Sequence, residues 1–286
     1  MKSLRALRPT SRLALLIGLV AMIAAGAVAF AADPQPAIKT TTPTSERQIT
    51  NIDVLRQQIR NYYGDPLGTG TFAADGNYAK EAEDAASDGT RYLDGLARQG
   101  HANHAPAMAA IVLDVDDTTL ATWNYEIASN WAFNPATNAT FVLGQLFPAV
   151  PGMVQMVNAA AGEGYAIFFL TGRPASQEPA TLGNLTADGV GVDAGYPTPT
   201  TLSNGEDGLF TKPAVADYPD YLKTACADEL AAGKSCTTVH YKSATRAHIE
   251  SLGYEIVGNF GDQFSDLEGG HADRTFKLPN PNYFLP

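Results

Sequence analysis

Ala109-Ala-Ile-Val-Leu113 followed by Asp114-Val-Asp116-Asp117-Thr118 is the stretch that decides the fold. The first five residues are an uninterrupted apolar run and read as a buried strand. Carboxylates spaced two apart just beyond it sit on a tight loop at a sheet edge. Such charges repel one another and resist desolvation, so burying them calls for a cation or a shared proton. The arrangement suits a nucleophilic carboxylate beside a second one that handles protons. An EF-hand calcium loop needs Gly at its sixth position and Glu at its twelfth, and Thr119 and Tyr125 stand there instead.

From this strand onward the chain alternates strand and helix signals. Ala166-Ile-Phe-Phe-Leu170 is a second apolar run. The segment before it, Pro151 to Ala161, reads as a helix with Pro at its start and Gly162 and Gly164 at its end. Thr237-Thr-Val-His-Tyr241 is a third strand candidate, and Ser243 can cap a helix that runs to Leu252 and stops at Gly253. Tyr254-Glu-Ile-Val-Gly258 is a fourth strand candidate. Short apolar strands separated by helices predict an α/β fold with a parallel sheet covered on both faces. Ligands of such sheets bind beyond the carboxyl ends of the strands.

Upstream, Ile49, Ile52, Leu55, Ile59 and Tyr62 recur at helical spacing, and Tyr78 to Arg98 is a second helical stretch. Residues 33–45 read as a Pro/Thr-rich linker, and His101 and His104 as solvated linker residues before the first strand. The domain reading is a leader over residues 1–32, a linker and helical extension over 33–105, and a core over 106–286. A cap-like insertion of about residues 120–150 carries Trp123, Tyr125, Trp131, Phe133, Phe141 and Phe147 in a loop-like setting.

Lys2, Arg5, Arg8 and Arg12 precede a charge-free run from Leu13 to Ala32, and Ala29-Phe-Ala31 fits a small-x-small cleavage pattern. This is the pattern of a secretory signal peptide cut near Ala31. An uncleaved anchor is the alternative reading, since the run is long enough to span a bilayer. Removing residues 1–32 takes 19 basic residues to 15 against 30 acidic ones, so the net charge moves from −11 to −15. That balance excludes a nucleic-acid surface, which needs basic patches. It also means that an anionic substrate requires a local cationic site. Cys226 and Cys236, the only cysteines, are expected to form a short-loop disulfide in an exported chain.

Four polar groups recur at the ends of the expected strands: Asp114-x-Asp116-x-Thr118, Thr171-Gly172-Arg173, Lys242, and Gly261-Asp262-Gln-Phe-Ser-Asp266. Each alone has an ordinary explanation as a solvated turn or a surface lysine. In a parallel sheet all four meet at one edge. They then supply a nucleophile, a proton donor, a hydroxyl, a fixed cation and carboxylates for a hard metal, an inventory suited to phosphoryl transfer.

In this set and order the chain resembles the haloacid dehalogenase (HAD) superfamily, and within it the secreted acid phosphatases of subfamily IIIB. That branch includes bacterial outer-membrane acid phosphatases and plant vegetative storage proteins. The resemblance runs from about Ala79 to Pro286 and includes the closing Phe276-Lys-Leu-Pro-Asn-Pro281. It implies a Rossmann-like core with a small cap and a Mg²⁺-dependent phosphomonoesterase that favours acidic pH. Asp114 would be the nucleophile and Asp116 the acid/base. Mg²⁺ would be held by Asp114, the Asp116 carbonyl and Asp262. Thr171, Gly172, Arg173 and Lys242 would bind phosphate, and Asp266 would orient Lys242 or a water on the metal. Trp123 and Tyr125 would line the substrate site, with Tyr125 at a position where the family carries Tyr. Thr122 stands where the family often has Asn. The substrate would be a small phosphate monoester such as a nucleoside monophosphate, and the N-terminal helices could support a homodimer. A non-catalytic storage member of the same family is the alternative, although such members lack the nucleophile and Asp114 is present. Dehalogenation, another superfamily reaction, does not use an acid–base Asp at the place of Asp116.

Overall fold

The structure is a computed structural model and describes residues 42–100, 108–203 and 205–285. The expected signal peptide with Ala31, most of the expected linker, His101 and His104 lie outside the described residues. Its elements in chain order are α1 (Ile52–Tyr63), α2 (Asn77–Arg98), β1 (Ala109–Leu113), α3 (Trp123–Ser129), α4 (Pro135–Leu143), α5 (Met153–Gly162), β2 (Ala166–Pro174), α6 (Glu178–Leu185), β3 (Leu209–Lys212), α7 (Asp220–Ala225), α8 (Ala227–Ala231), α9 (Thr238–Ser251), β4 (Glu255–Gly261), α10 (Phe264–Leu267) and β5 (Thr275–Lys277).

The strands form one sheet in the order β3-β2-β1-β4-β5, and every pairing is parallel. Successive residues of β1 feed opposite faces, as the pleat requires. Ala109, Ile111 and Leu113 join one apolar cluster, with Ile167 and Phe169 of β2. Ala110 and Val112 join a second, with Phe168 and Leu170. Both faces are therefore covered, which explains why β1 and β2 read as continuous apolar runs rather than alternating ones. The chain leaves β1 toward β2 and β3 on one side and returns to β4 and β5 on the other. The carboxyl end of β1 is thus a topological switch point, where a crevice opens for ligand.

The N-terminal helices pack on this core. Helix α2 lies against α5 and β5. Its close approach depends on Gly89, where a Cβ would stand 2.7 Å from the Phe260 ring of β4. Tyr63 at the end of α1 stacks on Trp123 with ring centroids 4.0 Å apart and on Tyr78 at 4.2 Å, forming a third buried cluster. Only the later part of the apolar stripe in α1 takes part. Ile49 precedes the helix, and both Ile52 and Leu55 remain exposed.

Several segments differ from the sequence reading. Thr237 to Tyr241 is the start of α9 and not a strand. The Thr237 side chain caps the helix by accepting from the His240 N–H at 3.2 Å, so the cap falls six residues before Ser243. The residues of α9 that face inward are Tyr241, Lys242, Thr245, Arg246 and Ile249, a helical spacing with polar side chains at its centre. A hydrophobic periodicity could not reveal it. The cap-like insertion is also helical rather than loop-like: Asn134 caps α4 through the N–H groups of Ala136 and Thr137, with Pro135 as its first residue. Two short edge strands, β3 and β5, were not anticipated. The helix expected from Pro151 begins at Met153, after Gly152 turns the chain with φ of 79°.

Candidate active site

The loop leaving β1 is folded tightly on itself. The Val115 carbonyl accepts from the N–H groups of Thr119 and Leu120 at 3.0 and 2.8 Å, and Asp117 takes the left-handed region with φ of 54°. This curl points Asp114 and Asp116 out past the strand end and turns Asp117 inward. Asp117 is fully buried and accepts from both the N–H and the Oγ1 of Thr122, at 2.9 and 2.6 Å. The third carboxylate of the cluster therefore fastens the loop. Thr122, where the family often has Asn, is its partner.

Lys242 reaches the same point from the second turn of α9. Its Nζ donates to Asp114 Oδ1 and to Asp266 Oδ1, the latter at 2.6 Å, and all three side chains are buried. Burial works against the ammonium form, but the two carboxylates outweigh it and hold Lys242 above its ordinary range. The expectation that Lys242 follows a strand was wrong, yet the helix delivers its amine to the predicted place. Asp266 also caps α10 by accepting from the Gln263 N–H at 2.8 Å. One of its oxygens is thus on Lys242 and the other on backbone.

Asp262 leaves the end of β4 directly opposite. It accepts from Thr118 Oγ1 at 3.1 Å, Gln263 Nε2 at 2.7 Å and Asn280 Nδ2 at 2.7 Å. Gly261 before it cannot be replaced cheaply, because a Cβ there would stand 2.5 Å from the Asp266 Cβ. Carboxylate oxygens of Asp114, Asp262 and Asp266 all lie within 4.8 Å of one another. Burial and then the charge of Asp266 push Asp262 up to about 6, and burial with the nearby Asp262 pushes Asp117 well above the carboxylate range. Burial likewise raises Asp114, with Lys242 pulling the other way. Three buried carboxylates, Asp114, Asp262 and Asp266, thus gather beside one ammonium. Their oxygens are hard donors, so the set fits a hard divalent cation such as Mg²⁺.

The third side of the crevice is the end of β2. Thr171 is buried with its Oγ1 accepting from the Arg173 N–H at 3.2 Å. Gly172 is exposed, and a Cβ placed on it would meet nothing within 4 Å, so its backbone faces open space. Arg173 differs from its expected place as a phosphate ligand. Its Nε and Nη2 donate to the two oxygens of Asp116 at 3.1 and 2.7 Å, and its Nη1 donates to Thr181 at 3.0 Å. This bidentate fork fixes the orientation of the Asp116 carboxylate.

Trp123 and Tyr125 do not line the crevice. Trp123 Nε1 donates to Asp65 at 3.0 Å while its ring stacks on Tyr63. Tyr125 is 1% exposed, and its hydroxyl exchanges bonds with the backbone of Asn134. Both rings pack the insertion onto the N-terminal helices and the core, because their polar atoms find partners inside. Sequence reasoning missed the Arg173–Asp116 fork, the clamp of Arg246 on the carbonyls of Asp266, Glu268 and Gly270, and the bond from Asn280. Only Asn280 left a trace, in the Pro-Asn-Pro ending. The cysteines are paired as expected, with Cα atoms 5.3 Å apart, in the layer beneath β2 and α9 and away from the crevice.

Comparison with known proteins gives the family. Residues 39–286 match the family described as HAD superfamily, subfamily IIIB (acid phosphatase). The chain is 31% identical over 179 residues to the stem 28 kDa glycoprotein of Glycine max, which spans 61% of this chain and 59% of that one. It is 29% identical over 178 residues to acid phosphatase 1 of Solanum lycopersicum, covering 61% and 58%. Over 54 residues it is 50% identical to vegetative storage protein 1 of Arabidopsis thaliana, covering 19% and 20%. The chain therefore spans about three fifths of the length of the first two relatives. Among solved structures, the class C acid phosphatase from Bacillus anthracis superposes with a TM-score of 0.48 at 18% identity, over 73% of this chain and 80% of the other.

Proposed function

Since the chain belongs to HAD subfamily IIIB, the acid phosphatases, we propose that it hydrolyses small phosphate monoesters at the carboxyl end of β1, through a phosphorylated Asp114. The observation that carries this reading is the buried Lys242 ammonium bonded to both Asp114 and Asp266 beside Asp262. A structural ion pair needs one carboxylate per ammonium. A surplus of buried carboxylates around one lysine is costly to fold and is kept where chemistry requires it.

In this mechanism Asp114 attacks phosphorus, and the bond to the leaving alkoxide oxygen breaks as the Asp114–phosphorus bond forms. Asp116, aimed by the Arg173 fork, gives its proton to the leaving oxygen. It then takes a proton from the water that attacks the phosphorus of the acyl phosphate, which releases inorganic phosphate and restores Asp114. Lys242 and the Thr171–Gly172 segment hold the phosphoryl oxygens, where charge accumulates in both transition states. Mg²⁺ would be held by the Asp114 carboxylate, the Asp116 carbonyl and Asp262, and when bound it offsets repulsion between nucleophile and phosphate dianion.

Export through the leader at residues 1–32 would place this activity outside the membrane, where phosphate scavenging by hydrolysis is useful. No helix among the described residues is long and apolar enough to cross a membrane. A preference for an aromatic leaving group loses its support with Trp123 and Tyr125 buried, so the substrate reading is the broader one of a small monoester. Purified residues 33–286 are expected to release phosphate from p-nitrophenyl phosphate with Mg²⁺, to stop with EDTA, and to recover when Mg²⁺ is restored. Asp114→Asn should lower turnover by about 10⁴-fold or more with the near-UV spectrum unchanged. Full turnover in that variant would exclude the mechanism, and a folded, Mg²⁺-supplied wild type without phosphatase activity would favour a storage role.

A further inference from the structure

The carboxylate of Asp262 is held by three donors, and two of them come from its own neighbourhood: Gln263 is adjacent, and Thr118 belongs to the loop after β1. The third, Asn280, comes from the far side of β5. Its amide orientation is fixed by chemistry. Oδ1 accepts from the Asn282 N–H at 2.8 Å, so the Nδ2 group faces the acids. From there Nδ2 donates to Asp262 Oδ2 at 2.7 Å and lies 3.5 Å from Asp117 Oδ2. One neutral NH₂ group thus stands between two buried carboxylates from different loops, with one hydrogen for each.

The segment that carries Asn280 is itself tied down. Leu278 N–H donates to the Gly261 carbonyl at 2.9 Å, Leu285 N–H to Gln263 Oε1 at 3.1 Å, and Ser265 Oγ to the Leu285 carbonyl at 3.0 Å. Asn282 bridges Tyr63 Oη at 2.8 Å and Trp131 Nε1 at 3.2 Å. Prolines at 279 and 281 restrict the backbone on both sides of the asparagine. The C-terminal strap is therefore held in place, and Asn280 is its hydrogen-bond donor to Asp262.

We propose that Asn280 is a positioning residue for the divalent-cation site. It holds Asp262 in the rotamer that ligates the cation and separates it from Asp117. This rests on the reading that Asp262 is a cation ligand. Without the amide, Asp262 can turn away, and the cation must organise the ligand as it binds. Outer-shell partners of metal ligands typically change affinity by about ten- to a hundredfold.

Calorimetric titration of Mg²⁺ into the purified chain, without substrate, tests this on wild type, Asn280→Ala, Asn282→Ala and Asp262→Ala. The expected result is a Mg²⁺ affinity at least tenfold weaker in Asn280→Ala, near wild type in Asn282→Ala, and lost in Asp262→Ala. The Mg²⁺ concentration for half-maximal phosphatase activity should shift by the same factor in Asn280→Ala, with kcat recovering at saturating Mg²⁺. Affinity within twofold of wild type in Asn280→Ala, with binding lost in Asp262→Ala, overturns the proposal alone. Equal weakening in Asn280→Ala and Asn282→Ala also overturns it, because the effect would then belong to the strap as a whole. A wild type that binds no Mg²⁺, or an Asp262→Ala that binds as well as wild type, removes the ligand reading and the proposal with it. If Asn280→Ala does not fold, Asn280→Ser is titrated instead and judged by the same outcomes, with the Mg²⁺-induced rise in Tm as a second readout.

Discussion

The carboxylate edge of the sheet and the aromatic insertion both drew attention as sites, and the structure separates them sharply. At the edge, Asp114, Lys242 and Asp266 are bonded mainly to one another. Lys242 has both carboxylates as partners, and only the second oxygen of Asp266 is bonded to the framework, through the Gln263 N–H. In the insertion, each polar atom finds a scaffold partner: Trp123 bonds Asp65, and Tyr125 bonds the Asn134 backbone. Polar atoms that satisfy one another in surplus charge mark the chemistry, and those that satisfy the framework mark the framework. Aromatic residues near a motif are weak pointers to substrate unless a face remains open.

The largest effect that would sharpen this contrast is at Asp116. Asp116→Asn keeps the shape and one of the two bonds from Arg173 but cannot move a proton, so turnover of p-nitrophenyl phosphate should fall about 10²- to 10⁴-fold. The loss should be larger for alcohols with poorer leaving ability, and a uniform loss would break the assignment of Asp116 as the acid. Trp123→Ala should cost about 3–5 kcal/mol in denaturant unfolding. In the fraction that stays folded, KM should be unchanged, and a raised KM with normal stability would return Trp123 to the substrate site.

Next comes Glu126 on α3, which faces Asp116 across the boundary between the two regions. Burial first, and then the charge of Asp116, raises it from 4.5 to about 7. The folded state therefore keeps a proton on Glu126 between pH 4.5 and 7 that the unfolded chain releases. Its contribution to stability is full below the unfolded value and is lost as pH rises through that window, by at most on the order of 3 kcal/mol. Glu126→Gln should match wild type near pH 4.5 and be more stable above pH 7, with urea unfolding at the two pH values as the check. Equal stability differences at both would show that Glu126 titrates normally. The smallest effect is expected from Tyr125→Phe, a loss of about 1 kcal/mol for its bonds to Asn134 with kcat/KM unaltered.

Much of the sheet and of the site was legible because the informative segments are long or chemically unusual. β1 and β2 are buried on both faces and so carry continuous apolar runs. The Asp motif lies in the loop that leaves β1, and the Thr-Gly and Gly-Asp motifs lie at the carboxyl ends of β2 and β4. The edge strands β3 and β5 were hidden by their brevity, at four and three residues. The start of α9 was hidden because its inward face carries Lys242, Thr245 and Arg246, so neither an apolar stripe nor a helical propensity signal marks Thr237 to Tyr241, and the helix was expected only from Ser243. The Arg173–Asp116 fork joins residues 57 apart, and the Asn280–Asp262 bond crosses the site from another strand. Pairings of that kind are created by topology and leave no periodic trace.

The central claim is that the carboxylate edge forms a covalent phosphoryl intermediate on one named oxygen acid, and trapping tests it directly. Wild type is mixed with p-nitrophenyl phosphate and Mg²⁺, quenched in acid during turnover, reduced with borohydride and digested for mass spectrometry. An acyl phosphate on Asp114 is reduced to the alcohol, so the account predicts homoserine at position 114 only when substrate is present. Substrate-dependent reduction at another carboxylate, or none at all under steady turnover, would contradict it.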